Sequence, residues 1–332
     1  MNQRQQVPLS VLDLSILREG ATSGDALAQT TALAQCADSS GYERFWVAEH
    51  HNMPSVACTA PTILIGHLAA LTSRINVGSG GVMLPNHAPL VVAEQFAMLE
   101  ALHPGRIDVG IGRAPGTDQR TAAAVRRSEG ALGAEDFPND LFELMDLLGD
   151  RRFDTTIGDH FKATPAASSY PKVFLLGSSG YSAHLAAKLG LPFGFAHHFD
   201  MGGTFEAAEI YRSRFVPSHI LSEPYMIVTA NVLAADTDEE ALWHAKSSRL
   251  TGYLRRTGRF LPLPSAEDAA RHPDIAEAER MPSSRIVGNG EHVAEQLHQL
   301  VDRVHADEAM VTAVAYETSA RIRSLELLAK HW

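Results

Sequence analysis

The chain has 332 residues, 45% of them hydrophobic, and a formal net charge of -11. That length buries one large core or two modest ones, and the acidity excludes the Lys- and Arg-driven grip on phosphate that nucleic-acid binding requires. Cys36 and Cys58 lack CxxC spacing and read as thiols of a reducing compartment. With no basic-then-apolar leader and no apolar run of membrane length, a soluble cytoplasmic protein without a membrane partner is expected.

Short apolar runs alternate with amphipathic stretches, the pattern of βα units around a parallel sheet. A first strand at Leu9–Leu14 precedes a helix over Ala26–Ser40. The second, Arg44–Ala48, runs into Glu49-His50-His51 and a helix over Ala60–Leu71. The third, Ile75–Val82, carries Gly80–Gly81 near its end and leads to a helix over Leu90–Leu102. A strand at Ile107–Ile111 ends in Gly112-Arg113, and a helical pattern follows at Asp140–Leu147. Next come Lys172–Leu176 with a helix over Ser182–Leu189, then Phe193–Ala196 with His197, His198 and a helix over Thr204–Phe215. Tyr225–Leu233 and Glu308–Ala315 complete the strands, with helices over Asp238–Leu250, Glu291–Val304 and Ala320–Lys330.

Eight strands alternating with helices is the count of a closed (β/α)₈ barrel, expected as a single domain over residues 1–332. An open doubly wound sheet would place GxGxxG after the first strand, where this chain has Ser15–Gly20. Two connections are long. Gly116–Asp140 is expected to mix helix with irregular chain. Arg255–Arg285, with four prolines, is expected to be a mobile lid over the barrel mouth, inserted before the eighth helix region; a tolerated surface insertion is the competing reading.

The candidate chemistry lies where strands end. Along a strand side chains alternate, so His50 shares a face with Trp46 and Ala48 and is the histidine expected to reach the cavity, with His51 on the other parity. Gly80–Gly81 allow backbone to pass close against a flat ligand, or else mark a bulge or bend. Arg113 suits a phosphate or a loop carboxylate. Leu176-Gly177-Ser178-Ser179-Gly180-Tyr181-Ser182 joins a strand to a helix start. Its hydroxyls and free N–H groups suit an anion beyond an ordinary N-cap. His197 and His198 with His50 and His51 raise the question of a metal. A metal-dependent barrel hydrolase would carry His-x-His where this chain has Asp13-Leu14-Ser15, so no metal site is expected.

Taken together, FWVAEHHNMP, GSGGVMLPNHAPLVVAEQFAMLEALHPGRIDVGIGRAPGTDQ, LLGSSGYSAHLAAKLGLPFGFAHHF and IVGNGEHVAEQL resemble the bacterial luciferase-like family of flavin-dependent monooxygenases. Within it, GGVMLPNHAP with GRAPGTDQ is similar to the polyketide-tailoring subgroup typified by the mensacarcin-pathway oxygenase. The resemblance implies a TIM barrel using reduced FMN (FMNH₂) and O₂, through a C4a-(hydro)peroxyflavin, on an organic, polyketide-type intermediate of antibiotic biosynthesis. By that resemblance His50 is the proton-transfer residue, and Gly80–Gly81 form a non-prolyl cis peptide beneath the isoalloxazine. Arg113, Ser179 and Ser182 contact the phosphate, with Leu176 and Ser178 in the same turn. No dinucleotide fingerprint is present, so a separate flavin reductase is the expected partner. The apolar helices Ala60–Leu71 and Leu90–Leu102 fit the family's homodimer. An F420-dependent oxidoreductase of the same superfamily and a non-catalytic flavin-binding protein are the alternatives.

Overall fold

A computed structural model describes residues 6–126, 136–153, 155–199 and 202–332. β1 (Leu9–Asp13) leads to α1 (Ser23–Ser39), and β2 (Arg44–Val47) leads to α2 (Pro61–Leu71). β3 (Asn76–Ser79), with its continuation β4 (Val82–Met83), leads to α3 (Pro89–Leu102). β5 (Ile107–Gly112) is followed by α4 (Gln119–Arg126), α5 (Phe137–Leu147) and the single turn α6 (Ile157–His160). β6 (Lys172–Gly177) and α7 (Gly180–Leu189) precede β7 (Phe193–Phe195) and α8 (Thr204–Ser213). β8 (Met226–Ala235) feeds α9 (Asp238–Arg256), the short helices α10 (Ala266–Arg271) and α11 (Ile275–Arg280), then β9 (Ile286–Asn289) and α12 (Gly290–Val304). β10 (Glu308–Ala313) and α13 (Thr318–His331) finish the ring.

The strand order is β10-β1-β2-β3-β5-β6-β7-β8, every pairing is parallel, and β8 pairs with β10 to close the ring. This is the expected eight-stranded (β/α)₈ barrel. Two short strands lie off the ring: β4 extends the line of β3 against β5, and β9 pairs with the outer half of β8. The backbone N–H of Asn289, last in β9, donates to Asp238 Oδ1 at 2.6 Å.

Alternation sorts each strand between two cores. Outward residues such as Phe45, Val77, Val109 and Phe193 pack under the helices in one large cluster. Inward residues Leu12, Trp46, Phe174, Ile227 and Met310 fill the middle of the barrel, where Trp46 and Phe174 meet edge to face at 5.0 Å. Below them, at the strands' N-terminal ends, lies a buried polar group. Arg44 donates to Glu308 at 2.9 Å and to Asp108 at 2.9 Å, and Ser10 and Tyr225 also donate to Glu308. Burial pushes both carboxyls up in pKa while Arg44 pulls them down.

The expected strand Ile75–Val82 is interrupted. β3 stops at Ser79, the Gly80–Gly81 peptide is cis, and β4 resumes at Val82. Close packing explains why glycines stand here. A Cβ on Gly80 would lie 2.6 Å from Leu12 Cδ1, and one on Gly81 would lie 2.6 Å from the Gly110 carbonyl oxygen. The helix expected to end at Leu250 runs on to Arg256. The 255–285 connection contains α10 and α11, packed on α9 through Leu250, Leu254 and Ala269, and Leu263 exchanges backbone hydrogen bonds with Leu17 and Glu19 beside the mouth. In Gly116–Asp140, α4 supplies the expected helix; residues 127–135 lie outside the described part.

Candidate active site

Strand parity carries the inward faces up to the mouth. The series Arg44, Trp46, Ala48 continues to His50, while His198 reaches the mouth from a 3-10 turn, His197–Phe199, just after β7. A cavity at the C-terminal ends of the strands is lined by His50, Gly80, Gly81, Arg113, Leu176, Ser178, Ser179 and Ser182, the eight residues singled out from the sequence. Leu12, Trp46, Met83 and Thr229 complete much of its wall.

One end of this cavity is built for an anion. Ser179 is the N-cap residue of α7, yet its side chain makes no capping hydrogen bond, so its hydroxyl is not spent on the helix. Ser182 is buried in the first turn, where a Cβ on Gly177 would come within 2.4 Å of its Oγ. Arg113 makes no ion pair among the described residues; its guanidinium lies 4.2 Å from the Tyr181 ring centroid. A fixed cation, uncommitted hydroxyls and the N–H groups of a helix start therefore converge. This donor set fits the phosphate of a flavin mononucleotide, and the apolar floor of Leu12, Trp46 and Leu176 fits its ring.

The other end holds unpaired imidazoles. His50 Nδ1 and His198 Nδ1 are enclosed without a hydrogen-bond partner. Burial, reinforced by the charge of Arg255, lowers the pKa of His50 to about 4. His198 is likewise held at about 4 by burial, against a backbone hydrogen bond at Thr229 that favours its charged form. Both rings are neutral at neutral pH and able to accept a proton. His198 had been considered only as a metal ligand beside His197. It lines the cavity from a 3-10 turn past the end of β7, whereas His197 turns to Thr204 Oγ1 at 2.8 Å.

His51, on the opposite parity, does something else. The buried Glu49 carboxylate accepts from His51 Nε2 and His87 Nε2, each at 2.8 Å, from Asn86 Nδ2 at 3.3 Å and from the Met83 N–H at 3.0 Å. Burial opposes its charge, but the bonds from His87, Met83 and His51 hold its carboxyl below the usual range. Glu49 N–H also donates to the Gly81 carbonyl at 3.3 Å, and Asn86 Nδ2 donates to that of Pro115. This node ties the segment after the cis peptide to the loop after Arg113. Nothing in the spacing of Glu49 and His87 signalled it.

A second cavity opens beside the first and shares Leu14, His198 and Phe199 with it. It lies between α9, the 255–285 segment and the loop after β1.

Fold and site together define a closed (β/α)₈ barrel whose mouth holds a cavity with an anion-binding turn and an apolar floor. The profile of the luciferase-like monooxygenases matches residues 8–307, and the chain belongs to that family. It is thus a flavin-dependent monooxygenase. A luciferase-like monooxygenase of Escherichia coli K12 is 42% identical over 325 residues, covering 97% of this chain and 96% of the relative. The N-acetyl-S-alkylcysteine monooxygenase of Bacillus subtilis 168 is 39% identical over 300 residues, 89% of each chain. The crystal structure of apo-MsnO8 superposes with a TM-score of 0.89 at 37% identity, covering 98% of both chains. Two further structures share the fold. The oxygenating constituent of 3,6-diketocamphane monooxygenase of Pseudomonas putida, in complex with FMN, has a TM-score of 0.73 at 19% identity over 98% of this chain and 97% of that one. An F420-dependent secondary alcohol dehydrogenase has a TM-score of 0.66 at 14% identity over 97% of this chain and 98% of that one. Among the described residues no helix is long and apolar enough to cross a membrane.

Proposed function

We propose that the chain is the oxygenating component of a two-component system that takes reduced FMN from a separate reductase and uses O₂ to oxygenate an organic natural-product intermediate, polyketides among the candidates. The observation that carries this reading is the meeting, in one cavity, of Arg113 and the uncapped Ser179 turn with Gly80–Gly81 and His50. Reduced FMN supplies the electrons that activate O₂. Arg113, Ser178, Ser179 and Ser182 hold its phosphate, the Gly80–Gly81 backbone and Leu176 bracket its ring, and His50 moves a proton at the ring's reactive edge. Leu12, Trp46 and Leu176 exclude water there. Names among the relatives and neighbours, N-acetyl-S-alkylcysteine and 3,6-diketocamphane, support organic molecules as substrates.

The 255–285 segment opens to admit that substrate and closes over it. Two chains pair through α2 and α3, whose Ile63, Met98 and Leu102 are 76%, 53% and 65% exposed. Anaerobic titration against reduced FMN and F420 tests the cofactor; tighter binding of F420 would overturn the FMN reading. Arg113→Ala should weaken FMN by about tenfold or more, since a charged hydrogen bond contributes roughly 1.5–3 kcal/mol. Unchanged affinity by fluorescence quenching would remove Arg113 from the phosphate site.

A further inference from the structure

The second cavity has a composition that the flavin reading does not use. Its lining includes Arg255, Arg256 and Arg285 and no aspartate or glutamate, in a chain whose net charge is -11. Arg256 and Arg285 have partners of their own. Arg255 is different: no described residue forms a hydrogen bond or ion pair with its guanidinium, and its side chain is exposed at the cavity's rim. A guanidinium at a cavity's edge with no protein partner keeps its donors free for an arriving anion. The helix surface beside it is shaped for another guanidinium. A Cβ on Gly252 would lie 3.2 Å from Arg285 Nη2, so the glycine lets Arg285 lie against α9 one turn before Arg255 and Arg256. The rest of the wall mixes apolar side chains such as Ile16, Val56, Leu263 and Val314 with the hydroxyls and amide of Ser55, Asn231, Ser248 and Thr251.

We propose that this cavity is the substrate site and that it selects an organic acid, with the carboxylate on Arg255, the apolar body against the 255–285 segment, and the reacting end turned past His198 toward the flavin cavity. The geometry matches a guanidinium's paired donors to a carboxylate's two oxygens. The inference rests on the first cavity taking the flavin, because only then is the second left for substrate.

FMN-loaded protein is titrated with the linear acids from acetate to octanoate, phenylacetate, (phenylthio)acetate and N-acetylmethionine, each beside its primary amide, following the absorbance of bound oxidised FMN. At least one acid should bind tenfold or more tightly than its amide, the margin of a charged hydrogen bond. Arg255→Gln should abolish that preference and Arg255→Lys should retain part of it, while FMN affinity stays within about twofold in both. The proposal is overturned if no acid is preferred to its amide, or if the preference survives in Arg255→Gln. It is equally overturned if Arg255→Gln costs FMN affinity, which would assign the arginine to the cofactor. Should FMN fail to bind at all, the flavin reading falls by itself. The same panel followed by tryptophan fluorescence of cofactor-free protein then still decides for or against the acid.

Discussion

Arg44, Asp108 and Glu308 stand on inward strand faces at the bottom of the barrel, His50 and His198 lie just past strand ends at its mouth, and the two groups are finished differently. At the bottom, charge meets counter-charge: Arg44 reaches both carboxylates, Ser10 and Tyr225 add hydroxyl donors to Glu308, and only Asp108 Oδ1 of these carboxylate oxygens is left without a partner. At the mouth, two imidazoles keep a nitrogen without a partner, and Arg255 stands beside them with no carboxylate. Pairing holds a structure together, whereas an unpaired polar group in a cavity is held ready for a ligand. The bottom therefore serves stability and the mouth serves chemistry.

The hardest test of that contrast is Arg44→Met. It leaves two buried carboxylates without their cation and should cost about 3–5 kcal/mol in urea unfolding, while FMN affinity of the molecules that remain folded is kept. A loss below about 1 kcal/mol would show that the bottom pairing contributes little. His50→Ala should do the reverse, keeping the fold by circular dichroism while turnover falls about 10²–10⁴-fold. Normal turnover in that variant, with an inactive His51→Ala, would mean that parity picked the wrong histidine.

Acid should sharpen the comparison further. His50 and His198 titrate near 4 when folded and near 6.5 when exposed, so the unfolded chain binds more protons between those values. Their contribution to stability is fully present above about pH 6.5 and declines as the pH falls toward 4. Replacing both by glutamine should flatten the pH dependence of unfolding across that window; an unchanged slope would mean the rings are not held neutral. The smallest effect is expected for His51→Ala. Removing one of the donors to Glu49 should cost about 1 kcal/mol in unfolding and little in turnover.

Much of this arrangement was legible before any coordinates. Eight apolar runs separated by helical patterns sufficed for the barrel, and alternation along Arg44–Ala48 was enough to send His50 inward and His51 aside. His198 escaped the same rule because the chain leaves the strand at Phe195 and turns into a 3-10 helix, where alternation no longer holds. β4 escaped because it continues the expected third strand beyond the glycine pair, and β9 because its four residues hold only two large apolar ones, Ile286 and Val287. Arg255 escaped because its helix looked finished at Leu250, ahead of a proline-rich stretch. Glu49 could not be read at all. Its meaning lies in His87, Asn86 and Met83, residues brought to it only by the fold.

Ring closure also governs how the chain meets its neighbours in a crowded solution. Because β8 bonds to β10, the barrel strands present no open row of amides on which another chain could add a strand. The exposed margin falls instead to β9, four residues long, whose final amide is already taken by the Asp238 side chain. An acidic group thus stands at the place where edge-to-edge polymerisation would start.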